Sequence, residues 1–551
     1  MKRMAFLCVL LAALLLGCAT PSGGPAPAPE PRAPLFNDLG THHHEIATKS
    51  PEAQCYFDQG LILNYGFNHA EAVRSFKEAA RLDPSCAMCY WGEALALGPN
   101  INAPMFPESV SQAWAAVRKA VELSGGASER ERAYIQAVSK RYAAKAVEDR
   151  KPLDRAYADA MREASRRFPD DLDLATLFAE ALMDLSPWAY WDKEGKPTAH
   201  TPEILATIES VLARAPEHIG AMHYYIHAVE ASENPARAEG YADKLGGLVP
   251  GAGHLVHMPA HIYMRVGRYH DASLANEQAS KADESYLAQC RAQGIYPLAY
   301  HPHNIHFLWA SATMEGRSAV AVEAAGKLRQ VTHQGMMHET GYGTLQHYWI
   351  TPVYALVRFG KWDEVLAQPR PSDDLLYPIG VWHYARGVAL AAKGNGEEAS
   401  GELAKVQAMA ADKRVASITI WDINTAAALL QVAAEALAGE IAAREGKMEE
   451  AVRHLAKAVV LEDELNYNEP PDWYYPVRHS LGAALLAANR AVEAEAVYRE
   501  DLRRNPENGW ALFGLGQSLF AQGKSEAAAE AGARFQKAWS RADVTLTASR
   551  F

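Results

Sequence analysis

Apolar and small residues recur along this chain three and four positions apart, in runs broken by glycine or proline, and the runs repeat with a period of about 34 residues. Within a period a small residue stands near the eighth position, glycine near the fifteenth, alanine near the twentieth and often proline near the end. The pattern is plainest in "YFDQGLILNYGFNHAEAVRSFKEAARLDP", "HLVHMPAHIYMRVGRYHDASLANEQA", "HSLGAALLAANRAVEAEAVYREDLRRNP" and "ALFGLGQSLFAQGKSEAAAEAGARF". Weaker copies end at Pro169, Pro216 and Pro250, and others turn at Gly316, Gly360, Gly394 and Gly446. Each unit predicts two amphipathic helices joined by a tight turn, where Gly267 takes a positive φ and small residues such as Ala260 and Ala272 allow close approach. One pair cannot bury its own apolar face, so the units must stack.

These stretches resemble tetratricopeptide repeats over most of the chain from Pro51 to about Trp539. The resemblance implies an all-α fold, a right-handed superhelix of helical hairpins (an α-solenoid) with a concave and a convex surface. Residues 35–186 are expected to be N-terminal repeats, 204–400 a histidine-rich central set, and 401–551 C-terminal repeats with a cap. Two segments break the period: "SPWAYWDKEGKPTAH", within an aromatic insertion at 187–203, and "KADESYLAQCRAQGIYPLAY". Insertions of this kind are candidate rims or lids of a binding face.

Ahead of the repeats, Lys2 and Arg3 precede an apolar run too short to span a bilayer as a mature helix, the layout of a cleaved secretory signal over residues 1–17. "LLGC" resembles the bacterial lipobox, which implies lipidation of Cys18; Ala19 after it implies sorting to the outer membrane, facing the periplasm. Residues 18–34 form a Pro/Ala-rich tether that cannot bury enough apolar surface to fold. The net charge of −12, more negative still without Lys2 and Arg3, opposes a phosphate backbone, so no nucleic-acid partner is expected. Beyond the tether only Cys55, Cys86, Cys89 and Cys290 remain, too few for a disulfide scaffold. The "CAMC" pair opens a helix with no strand before it, which favours core packing or a simple disulfide over redox or metal chemistry.

The candidate chemistry lies in the first helices of the central repeats. With Gly267 as the fifteenth position, His254, His257 and His261 fall at the second, fifth and ninth, which in tetratricopeptide arrays look into the concave groove. The preceding unit puts His223 fifth, His227 ninth and Glu230 twelfth; the following one puts His303 second and His306 fifth; His347 is second in the unit turning at Gly360. Spacings of three, four and seven keep these imidazoles on one helix face. A single buried histidine is ordinarily a satisfied core residue, but eight in phase point to a transition metal, with peptide or small-ligand recognition and plain packing as alternatives. Neighbouring first helices about 8–10 Å apart let side chains converge on one ion. Either one site uses His223, His227, His257 and His261, or two ions share the groove. Pro259, which cannot donate to the carbonyl of Leu255, adds a kink that bears on the pairing of His257 with His261.

Imidazole donors suit copper, zinc, iron or nickel, and the nearby Met222, Met258, Met264, Met336 and Met337 turn the expectation towards copper, with zinc or iron as alternatives. Glu230, His301 and His479 are candidates for an outer ligand or support. "THHHEIATK", with His42, His43 and His44, reads as a solvated run, and His270 as a convex-face residue. Trp188, Tyr190, Trp191, Tyr296, Tyr300 and Trp309 are candidate pocket walls, and Asn468, Glu469, Trp473, Tyr474 and Tyr475 form a Pro-rich entry that is either a second wall or a cap. HExxH, GxSxG and phosphate-loop motifs are missing. Three readings remain: a lipid-anchored metal-binding array, a metal-free scaffold for a peptide or envelope protein, and a copper- or iron-dependent redox enzyme built in the groove.

Overall fold

The structure, a computed structural model, describes residues 33–290 and 294–551; the signal segment, the lipobox Cys18 and the tether up to residue 32 lie outside the described residues. Ala33 to Phe551 form one unit of antiparallel helical hairpins, with one short two-stranded ribbon, Thr419–Ile420 and Asn424–Thr425, among the described residues. Hairpins such as Pro51–Tyr65 with His69–Leu82 and Leu376–Ala392 with Gly396–Ala410 follow one another along the chain, each packed on the next. This is the all-α array that the tetratricopeptide resemblance implies. The turn glycines carry it: Gly267, Gly316, Gly360, Gly394 and Gly446 all take positive φ, between 65° and 84°. Ala260 and Ala272 are fully buried where their helices meet.

The array closes on itself. Gly267, beyond making its turn, lies so near the C-terminal repeats that a Cβ there would meet the Pro506 carbonyl oxygen at 2.4 Å. The hydroxyl of Tyr269 donates to that carbonyl, the Trp510 indole donates to the carbonyl of Thr313, and Asp543 accepts from the backbone N–H groups of Ser318 and Ala319. Arg358 lies 3.5 Å over the Trp510 ring and donates to His479 Nδ1, while His479 Nε2 donates to Asp501. The C-terminal helices thereby join the central hairpins at their turns, and the histidines of the first helices are buried or half-buried.

At the other end, Ala33 is already packed, and the carbonyls of Ala33 and Pro34 accept from Tyr56 and Gln59. The His42–His44 run is not a solvated one: His42 Nε2 and His44 Nδ1 each sit 2.9 Å from the Asp173 carboxylate, and only His43 is exposed. The reading failed because the partner carboxylate lies in a distant repeat. Cys86 and Cys89 are joined in a disulfide at the start of the helix Ala87–Ala96, and Cys290 is buried.

Candidate metal centre

Three segments position the centre. The helix Ile219–Val229 presents His223 and His227 one turn apart, with Glu230 at its C-terminal end. Pro259 interrupts the next first helix into Gly253–His257 and Pro259–Val266, yet His257 and His261 still meet across the break, Nε2 to Nε2 at 2.8 Å. The helix His301–Glu315 supplies His303. The result is two adjacent triads, His223/His227/His254 and His257/His261/His303, each with ligand atoms within 4.8 Å of one another. Five of the six are at most 2% exposed and His303 is half-buried. Each triad is backed by a phenyl ring: Phe67 packs on His223, His227 and His254, and Phe307 on His257, His261 and His303.

The outer nitrogens fix the tautomers. His223 Nδ1 donates to the carbonyl of Tyr65 at 2.6 Å. Glu230 accepts from two rings at once, His227 Nδ1 on Oε1 at 2.8 Å and His261 Nδ1 on Oε2 at 2.6 Å. His257 Nδ1 donates to Asn276 Oδ1 at 2.6 Å, the Asn276 amide being oriented by its own bond to the Ala272 carbonyl. All four partners are acceptors, so in the neutral rings the proton stays on Nδ1 and a lone pair stays on Nε2. Lone pairs of His257 and His261 then face each other, His223 Nε2 lies 3.2 Å from His254 Nε2, and His227 Nε2 has no hydrogen-bond partner. Burial pushes all six histidines below the ordinary imidazole range, His261 to about 3. Neutral imidazole is the form in which histidine binds a metal.

The other expected ligands lie apart. His306 and His347, both buried, form a pair of their own with ring centroids 5.3 Å apart; His347 Nδ1 is bonded to the Tyr377 hydroxyl, and the Nε2 atoms of both are without partners. His301 faces Asp283 at 3.4 Å. His479 is saturated by Arg358 and Asp501 at the closing contact. His270 lies outside both triads, half-buried and bonded to Glu315 of the next hairpin. Met222 and Met258 are fully buried in the core, as are Tyr190, Tyr296 and Trp309.

A second carboxylate–histidine group surrounds Asp173, touched by His42, His44, His218 and the Tyr65 hydroxyl. Here the tautomer runs the other way. His218 Nδ1 caps its helix by accepting from the Ala221 N–H, which leaves the proton on Nε2, directed at Asp173. That ring is a hydrogen-bond donor to the carboxylate rather than a metal ligand.

Beside the two triads lies a cavity of about 570 Å³, reached by His227, His254, His261 and His303. Both period-breaking insertions contribute to its wall, through Trp188 and Tyr300, and Trp421 and Glu469 come from the C-terminal half. Trp188, Trp421 and Asp422 hold left-handed backbone at φ 62°, 52° and 56°, and Phe67, behind the first triad, does so at 58°. Bulky residues in that region cost about 1–3 kcal/mol each and persist where the surroundings over-determine them. Sequence reasoning missed Phe67, Asn276, Tyr467 and Trp421; none stands in phase with the histidines or in a recognisable motif.

No family model matches the chain, and no curated protein matches it. Solved structures similar to it include a human IFIT1 dimer with m7Gppp-AAAA (13% identity, 89% of this chain and 91% of that one, TM-score 0.31). Yeast Tom70 (11%, 89% and 91%, TM-score 0.28) and the P58(IPK) TPR domain (12%, 86% and 99%, TM-score 0.23) are also among them. The repeat architecture rests on the hairpins and glycine turns of this chain itself.

Proposed function

We propose that the six histidines His223, His227, His254, His257, His261 and His303 bind a pair of transition-metal ions. The observation that carries this reading is the set of four rings whose Nδ1–H groups are committed to acceptors, which leaves the Nε2 lone pairs of His257 and His261 facing each other and that of His227 without a partner. Two lone pairs 2.8 Å apart in a buried site repel unless a cation lies between or beside them. Glu230 supports both triads at once, the carboxylate–histidine arrangement that raises ligand basicity and fixes ring orientation. An imidazole-only donor set suits copper, zinc or iron. We take copper or iron as the ion, because the adjoining cavity suits a small molecule and such ions supply one-electron redox chemistry when bound.

Export with a lipid anchor at Cys18 is part of the same proposal, and the Cys86–Cys89 disulfide, expected in an oxidising compartment, supports it. The helical-hairpin array itself suits a protein partner, the alternative reading, but that alternative leaves the buried lone pairs without a role.

The test is the double variant His257→Ala with His261→Ala, compared with His333→Ala at an exposed position. The double variant is expected to lose one of the two ions, that of its own triad, while keeping its helical circular dichroism, and the control to keep both. Unchanged metal with lost helicity would make these histidines packing residues and overturn the proposal.

A further inference from the structure

The wall of the cavity facing the triads contains a carboxyl group that the metal centre does not use. Glu469 is 6% exposed; its Oε1 accepts from the Tyr467 hydroxyl at 2.5 Å, and its Oε2, fully buried, has no partner. Tyr467 also reaches towards Glu230 Oε2, at 3.4 Å, so a line of polar groups runs from the cavity wall through Glu469, Tyr467 and Glu230 to the outer nitrogens of His227 and His261. An unpaired buried carboxyl oxygen is costly unless something arrives to satisfy it.

The rest of the wall limits what can arrive. Trp188, Tyr300 and Trp421 offer aromatic surface, and the Trp188 indole N–H is already committed to Asn102, so its ring rather than its donor is available. Asp154, Asp184, Asp422 and Glu469 line the cavity with Arg150 as the single lining guanidinium, and Arg150 is bound to Asp154. Asp184 is likewise paired, with Arg141, so in the metal-free chain no lining guanidinium is left to receive an anion. A flat apolar body with one hydroxyl matches the wall, since a hydroxyl both donates and accepts.

We propose that the cavity binds a small aromatic molecule bearing a hydroxyl group, a phenol, with its ring among Trp188, Tyr300 and Trp421 and its hydroxyl on the Glu469 carboxyl, whose Oε2 turns into the cavity to meet it. The inference rests on reading the cavity as the reaction site of the metal centre. Glu469 then holds the substrate's proton at Oε2, and Tyr467 and Glu230 connect that point to the ligand rings. Burial, with the charge of Glu230 beside it, pushes Glu469 up to about 8, which suits a group that takes up and releases a proton near neutrality.

The test is calorimetric titration of the full chain, once stripped of metal and once loaded with zinc, at about pH 9. The probes are 4-methylphenol, which keeps its proton below about pH 10, 4-methylanisole and 4-methylbenzoate. Wild type is expected to bind one 4-methylphenol per chain at least about tenfold more tightly than the anisole, and the benzoate weakest. Glu469→Gln should remove most of that preference without changing anisole affinity, and Trp421→Leu should weaken phenol and anisole alike. In the metal-stripped chain, where no ion can hold the carboxylate, equal affinity for phenol and anisole, tightest binding of the benzoate, or no effect of Glu469→Gln in a variant of normal circular dichroism would overturn the proposal. Metal content, measured on the same samples, fails or holds separately: a wild type that takes up no zinc on loading yet still prefers the phenol would sink the metal centre and leave this site standing.

Discussion

Asn276, Glu230 and the Tyr65 carbonyl decide what the histidines can do, because each takes an Nδ1 proton and leaves a lone pair on the opposite nitrogen. Glu230→Gln is therefore a sharper probe than removing a ligand. An amide has one acceptor oxygen, so its nitrogen must face the Nδ1–H of either His227 or His261, and that ring turns its proton onto Nε2. The variant is expected to bind metal about 10–100-fold more weakly at normal helicity, measured by competition with a chelator. Unaltered affinity would show that Glu230 is a packing residue. Which residues carry imidazoles was legible from the three- and four-residue spacings. Which nitrogens face inward was not: the acceptor for His223 lies 158 positions away, and nothing in the local sequence marks it.

At the scale of elements, hairpins were legible and the segment leading into them was not. Glycines such as Gly316 and Gly446 announce their turns because the left-handed backbone there favours glycine. The segment 41–50 has no periodicity, and its partners, Asp173 and Asp83, belong to other elements. Asp83 holds that segment by accepting from the Thr48 hydroxyl and the Lys49 N–H, and it also accepts from Ser85. Burial alone would raise its pKa, but the bonds from Ser85, Thr48 and Lys49 lower it from 3.8 to about 2. A carboxylate lowered on folding stabilises the folded state above its unfolded pKa and loses that contribution as pH falls through the folded one. Asp83→Asn is expected to lower the melting temperature at pH 7, with the gap to wild type closing between about pH 4 and pH 2. A gap independent of pH over that window would contradict the assignment.

At the scale of the whole molecule, closure converts a groove into an interior. The repeats place the histidines in phase, and the C-terminal segment, through Trp510, Asp543 and the Pro506 carbonyl, joins the central hairpins at their turns. Periodicity describes neighbours in sequence and is silent about contacts between distant repeats, so this was the least legible part of the fold. His479, in phase like the others, belongs to that contact and not to the metal centre. Gly267 sits at both the turn and the closing contact. Gly267→Ala carries about 1–2 kcal/mol of left-handed strain and drives a methyl group towards the Pro506 carbonyl. It should lower the melting temperature and enlarge the radius of gyration in solution scattering; unchanged values of both would show that the closing contact tolerates the methyl group.

The central claim is that buried, pre-oriented imidazoles hold a pair of ions. It is tested most directly by counting metal per chain, with elemental analysis of untagged full-length protein equilibrated with copper, zinc or iron and then freed of loosely held ions. The account predicts two tightly held ions of a transition metal per chain, falling towards one in the His257→Ala, His261→Ala variant, whose other triad is intact. A well-folded wild type that retains none of these metals would contradict it.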